Sequence, residues 1–392
     1  MSKPYDLIVY GASGFTGQLV AEYLAGRAAD PGLTRWAIAG RNPDRLAAIR
    51  EGLPATEPQP DIIVADAADP VSIGAMVAQT RAVLTTVGPY QRYGEPLLAA
   101  CAERGVHYVD LCGEPAWMRQ MIDRHEATAK ASGACLVFSC GFDSIPFDLG
   151  IWFLQQAAIK RFGTPLTTMR GRVLKMKGRF SGGTAASLQA TMAAAADPSV
   201  LTLLKNPFAL TPGFDGPRQP SGSAPQFDAD LNSWAAPFIM AAINTRNVHR
   251  SNFLLGHPYG ADFTYNEMIS TGPDDAGRQR AEAVAADDSM MSKDGPKPGE
   301  GPSADERENG FYQVLFIGET ADGKSLSAMV TGKRDPGYGS TSRMISESVL
   351  SLLAPDAAPP PGIHTPASAL AEPLLQRLPE HAQLRFELTG DK

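Results

Sequence analysis

The stretch from Tyr5 to Leu24, YDLIVYGASGFTGQLVAEYL, constrains this chain more than any other. An apolar run, Leu7 to Tyr10, enters a turn carrying Gly11, Gly14 and Gly17, and a helix-like segment follows. Residues without a side chain let the main chain fold tightly and bring its N–H groups close to a phosphorylated ligand, while the helix presents its partial positive end to the same anion. Three glycines spaced three apart are a variant of the G-x-G-x-x-G fingerprint. Their position after a first strand and at a helix start is what gives them weight, because glycines also serve ordinary turns. Gly11, Ser13, Gly14, Phe15, Thr16 and Gly17 are therefore the expected pyrophosphate loop.

The alternation continues to about residue 140. Short apolar runs at Leu7–Tyr10, Trp36–Ala39, Ile62–Val64, Ala82–Thr86, Val106–Val109 and Cys135–Phe138 alternate with helical stretches such as Gln18–Gly26, Pro43–Arg50, Pro96–Arg104 and Pro115–Lys130. Strand and helix repeated with short connections predict an α/β fold: a Rossmann-type doubly wound parallel sheet, with ligands at the carboxyl ends of its strands. After Gly141 the texture becomes that of a second α+β domain with a mixed, mainly antiparallel sheet. TTMRGRVLKMKGRF alternates as a strand, and FYQVLFIGETADGKSLSAMVTGKR reads as two strands joined at Asp322-Gly323. SWAAPFIMAAIN reads as helix-like, and part of the polar Pro273–Asn309 segment as a mobile surface loop. The expected organisation is a nucleotide-binding domain over 1–140, a substrate domain over 141–335, and C-terminal helices over 336–392 that pack back on the first domain.

The end of the second strand bears on which nucleotide is held. Asp or Glu there would suit a free ribose 2′-hydroxyl, but RWAIAGRNPDRL offers Gly40 and Arg41. A guanidinium can form a forked, charge-assisted pair with a 2′-phosphate, so Arg41, helped by Asn42 and Arg45, points to NADP(H). A solvated arginine at a helix start is the plainer alternative. Further along the carboxyl edge, Asp66 sits where such sheets meet an adenine ring. Val87, Gly88 and Pro89 would pass beneath the ribose and nicotinamide, with Tyr90, Arg92 and Tyr93 overhanging, and Cys112 and Gly113 close the same edge.

Formal charge is −7, so the basic footprint of a nucleic-acid binder is missing. The apolar runs fall short of the ~20 residues of a spanning helix, and the amino terminus shows no secretory signal. Four cysteines without paired spacing or His partners predict a reducing cytoplasm and no structural metal. His249 and His257 read as surface or substrate-rim residues, and Lys175, Lys177 and Arg179 as one basic strand face that is either wet sheet or an attraction for a phosphate arm.

GASGFTG, AGR, VGPYQRYGEPLLAACAERGVHYVDLCGE and GFDSIPFDLG together resemble the saccharopine dehydrogenase-like oxidoreductases. SGGTAAS, KRDPGYGSTSRMISES and TPASAL resemble more specifically the branch containing trans-acting enoyl reductases. The resemblance spans nearly the whole chain. It implies a Rossmann domain, NADP(H), and a mixed-sheet second domain for a small-molecule or acyl-thioester substrate, with an acyl carrier and a homodimer as compatible partners. Reducing an activated C=C bond needs a hydride at Cβ, donors for charge on the thioester oxygen, and an acid for Cα. Tyr93 is the first candidate acid and Tyr338 the second; Asp143 is a further catalytic candidate, and Ser144 and Arg92 are candidate substrate contacts. Asp143-Ser144 can equally cap a turn or helix. A dehydrogenase acting on a C–N bond and a non-catalytic NADP-binding, lipid-associated protein are the alternatives.

Overall fold

The computed structural model describes residues 3–55, 57–178, 182–287 and 301–390. The first sheet takes β1 (Tyr5–Tyr10), β2 (Trp36–Gly40), β3 (Asp61–Val64), β4 (Thr80–Thr85), β5 (His107–Val109) and β6 (Cys135–Val137) from the amino-terminal part of the chain. Helices α1 (Phe15–Ala25), α2 (Pro43–Gly52), α3 (Pro70–Val77), α4 (Tyr90–Tyr93), α5 (Glu95–Arg104) and α6 (Pro115–Ser132) lie between them, and α7 (Ile145–Phe162) follows. All its pairs are parallel, in the order β13-β6-β5-β4-β1-β2-β3, where β13 is Gly362–His364. The strand order reverses between β1 and β4, which opens a crevice at their carboxyl ends. Leu7, Ile8 and Val9 are wholly buried because helices cover both faces, which is why β1 is a continuous apolar run.

The second sheet is mixed. It contains β7 (Thr168–Lys177), β8 (Gln226–Asp228), β9 (Ser233–Pro237), β10 (Thr264–Gly272), β11 (Phe311–Glu319), β12 (Ser325–Lys333) and β14 (Leu384–Gly390), in the order β14-β12-β11-β7-β10-β9-β8. Only β7 and β10 pair in parallel. The β11–β12 hairpin turns at Asp322-Gly323, where Gly323 takes φ 84°, a left-handed conformation that glycine adopts without strain. α7 leaves the first sheet and packs under β11 and β12, joined by α10 (Ala241–Leu254) and α14 (Pro366–His381).

The carboxyl-terminal segment is shared between the layers. Helix α13 (Thr341–Leu353) packs on α1, β4 and β5, β13 extends the first sheet beside β6, and β14 closes one edge of the second. The sequence pattern of helices missed both strands. Each is short or half exposed, so neither carries a strong alternation.

One other expectation is corrected. SWAAPFIMAAIN is not one helix: Ser233–Pro237 pairs with β10, and the helix begins only at Ala241, because Pro237 lacks the N–H a helix interior needs. Within Pro273–Asn309, Asp275–Ala286 and Ala304–Glu308 are helical, each opened by a side-chain cap, from Asp274 and Ser303; 288–300 lies outside the described residues. Among the described residues no helix is long and apolar enough to cross a membrane.

Candidate active site

The three glycines do three different jobs. Gly11 holds φ 91°, and a Cβ there would meet Val87 Cγ2 at 2.7 Å. At Gly17 a Cβ would lie 2.2 Å from the Gly11 carbonyl oxygen, so this glycine lets the helix press against the strand. Gly14 is different. It is the extended N-cap of α1, and a Cβ there would meet nothing nearer than the Gly11 oxygen at 3.3 Å. No side chain caps α1 and no acid lies in its first turn. Its leading N–H groups, around Phe15 and Thr16, are thus left to an outside acceptor. This open cradle fits a pyrophosphate.

Ser13 reaches beneath the end of β2, its Oγ 3.3 Å from where a Cβ of Gly40 would stand. Arg41 follows, exposed and, among the described residues, engaged by no carboxylate. Asn42 is partly committed: its side-chain oxygen accepts the Arg45 N–H at 3.0 Å and caps α2. Asp66 accepts the Ala68 N–H at 3.0 Å, and its charge and that of Arg41 both act on the Tyr10 hydroxyl, which burial pushes up to about 12.

The loop after β4 is corrected in one respect. Tyr90 does not overhang the crevice: it is 5 % exposed, packs on Trp117, and its hydroxyl accepts the Leu111 N–H at 3.0 Å. Glu114, which sequence reasoning left without a role, accepts the N–H groups of Tyr90 and Gln91 at 2.9 Å each and the Ser187 hydroxyl at 2.9 Å. It thereby holds the main chain at Tyr90 and Gln91, directly after the Val87–Pro89 turn. Asp110 was missed too. Burial raises it to about 7, and it gathers Cys112 N–H, Ser139 N–H and the Tyr108 hydroxyl, tying the ends of β5 and β6 together. Cys112 is enclosed and burial pushes its thiol up, the reverse of an activated nucleophile, while Gly113 is open, with nothing within 4 Å of a Cβ position.

The candidate acids separate. Tyr93 is 43 % exposed at the end of α4 and has no recorded partner among the described residues. Tyr338 is 2 % exposed, lies edge-on to Phe15 with ring centroids 4.8 Å apart, and its hydroxyl is buried without a partner. Asp335 holds the Tyr338 turn by accepting the N–H groups of Tyr338 and Gly339 at 2.9 and 2.7 Å. The structure therefore puts Tyr338 over the glycine turn and Tyr93 on the surface. Arg92 is exposed beside Tyr93.

At the end of β6 the chain passes through Asp143 and Ser144 into α7. Asp143 Oδ1 is enclosed with no hydrogen-bond partner, and burial alone raises the carboxyl to about 7. Ser144 is wholly buried behind it, its hydroxyl accepting from Asn247 Nδ2 at 2.8 Å. Beyond lies a group the sequence reading did not find. Glu267 accepts from Asn244 Nδ2 at 2.9 Å and from the Tyr265 hydroxyl at 2.8 Å, and burial, with the nearby Asp143, pushes it up to about 8. A lone Glu in the strand YNEMIS was the available signal. His249 corrects the surface reading: it is 3 % exposed and held neutral, at about 3, by burial and the Arg246 charge.

With this geometry in place, comparison with known proteins is informative. Residues 7–137 match the saccharopine dehydrogenase NADP binding domain. A Mycobacterium tuberculosis protein provisionally named a trans-acting enoyl reductase is 39% identical over 404 residues, covering 96% of each chain. A trans-acting enoyl reductase of Mycobacterium ulcerans is 35% identical over 409 residues, again covering 96% of each. Among solved structures, apo saccharopine dehydrogenase (L-Glu forming) from Saccharomyces cerevisiae shares the fold, with a TM-score of 0.54 over 98% of this chain and 100% of that one at 13% identity. The chain belongs to the saccharopine dehydrogenase-like oxidoreductases, in the branch that contains the trans-acting enoyl reductases.

Proposed function

We propose that the protein reduces an activated C=C bond of an acyl-thioester substrate with NADPH. The observation that carries this reading is the uncapped α1 N-terminus, opened by Gly14 beside an unpaired Arg41, in a chain whose relatives are named enoyl reductases. Bound NADPH would supply the hydride. The main chain from Gly11 to Gly17 would hold its pyrophosphate, Arg41 its 2′-phosphate, and Val87–Pro89 with Gly113 would line the nicotinamide end. Asp143 is the proposed proton donor to Cα: burial holds it at about 7, so near neutral pH it keeps a transferable proton, and its enclosed oxygen has no other partner. Tyr338, buried and unpartnered over Phe15, is the second candidate. Ser144 acts from behind by positioning Asn247.

Four free buried cysteines suit a cytoplasmic setting. Lys175 and Lys177, exposed at the end of β7, supply basic charge for an acyl carrier's phosphate arm; Arg179 of that stripe lies outside the described residues.

The reading is tested by following NADPH absorbance with an enoyl-CoA panel and, separately, with saccharopine-like imines. Consumption with enoyl thioesters is expected. Consumption with imines alone transfers the chain to C–N chemistry, and silence with both, cofactor binding retained, makes it a binding protein.

A further inference from the structure

The second domain contains a buried cation with no anion. Arg246, on α10, is 7 % exposed, yet among the described residues no carboxylate pairs with it. Two of its nitrogens donate to main-chain carbonyls, of Ala242 and Leu204, which fixes the plane of the guanidinium. Nε, on the remaining edge, is buried and donates to nothing. A charge removed from water without a counter-charge is strongly unfavourable, and burial depresses Arg246 to about 10. Such an arrangement is sustained when a ligand supplies the missing charge.

The surroundings fit one. Arg246 lines a cavity of ≈ 280 Å³ between α10, β10 and the chain around Pro207–Ser223. His249, one turn on, faces the same cavity with a neutral ring whose Nε2 is buried and unpartnered. Glu267 and Tyr265 form part of the same wall, and the protonated form favoured by burial at Glu267 adds no competing negative charge. Pro237, Phe238 and Ala241 supply apolar surface. The volume sits at the lower edge of the ~300–1,000 Å³ typical of ligand pockets, which suits a head group or short chain rather than a long lipid.

We infer that this cavity receives an anionic group, carboxylate or phosphate, carried by the substrate, with the Arg246 guanidinium as its cation and His249 as a neutral hydrogen-bonding partner. The inference deepens the reductase reading and rests on it for the identity of the ligand as substrate, since Glu267 joins the cavity wall to the Asp143 end of the site.

The test uses the full chain at low salt with inorganic phosphate, glutarate and chloride as probes, read by calorimetry and thermal unfolding. Phosphate or glutarate should bind and raise the melting temperature, and chloride should not; the better of the two identifies the kind of anion. Arg246→Met should melt higher than the parent without anions, because the unpaired charge is gone, and should lose at least about tenfold in anion affinity. Arg246→Lys, which keeps the charge, should retain part of the binding and covers the case in which the methionine variant fails to fold. NADPH affinity should be the same in all three. No anion binding by the parent, or equal binding by Arg246→Met, overturns the proposal. A parent that binds these anions and NADPH but never consumes NADPH overturns the reductase reading instead.

Discussion

The two halves of the crevice recognise ligands by opposite means. On the nucleotide side the working surface is main chain: Gly14 leaves the α1 N–H groups open, and the nearby side chains mostly support the scaffold, with Glu114 pinning one loop and Asn42 capping one helix. On the second-domain side the working surface is side chain: Asp143, Asn244, Asn247, Arg246 and His249 each carry a buried polar atom without a partner. Main-chain recognition is tolerant of everything except the presence of a Cβ. Side-chain recognition depends on charge state, so pH should govern the second side far more than the first.

The largest effect expected from breaking this contrast is at Gly14. Gly14→Val should lower NADPH affinity by two orders of magnitude or more while changing the melting temperature far less than Gly17→Val, because a Cβ there would meet only the Gly11 carbonyl oxygen, at 3.3 Å, and a β-branched residue tolerates the extended N-cap. Gly17→Val should lose both, since its Cβ would stand 2.2 Å from a carbonyl oxygen. Calorimetry and thermal unfolding on the pair decide this; equal unfolding of both variants would remove the distinction.

Next comes Asp143→Asn, which should cut turnover by about 10²-fold or more with NADPH affinity intact. The rate of the parent should also fall as pH rises through about 7, where the acid loses its proton. Undiminished turnover would pass the proton to Tyr338.

The smallest effect is on stability. Asp110, Asp143 and Asp148 are raised to about 7 and Glu267 to about 8, all chiefly by burial. Because the folded values exceed the unfolded ones, their contribution is complete below the ordinary carboxylate range of ~4 and declines as pH rises, until it is gone above about 8. The ligand-free melting temperature should therefore drift down between mildly acidic and mildly alkaline pH, and less so in Asp143→Asn. An upward drift would contradict the assignment of neutral buried acids.

The contrast also explains what the sequence showed. The nucleotide side was legible because its signals are local: a buried strand, a glycine turn and a helix follow one another in twenty residues. The second side brings the end of β6 together with α10 and β10, which follow it by over a hundred residues, and nothing in SCGFDSIP announces Glu267. Tyr90 misled because an aromatic at a sheet edge reads the same whether it turns toward the ligand or, as here, back onto Trp117. Pro237 ended a strand within a run whose apolar residues suited a helix equally well.

The most direct measurement is a calorimetric titration of the parent and Arg41→Ala with NADPH and with NADH. A bidentate charged contact contributes ~1.5–3 kcal/mol, so the parent should prefer NADPH by about one to two orders of magnitude and the variant should lose that preference while still binding both. A parent that binds the two alike, or a variant that keeps the preference, would contradict recognition of the 2′-phosphate at the end of β2.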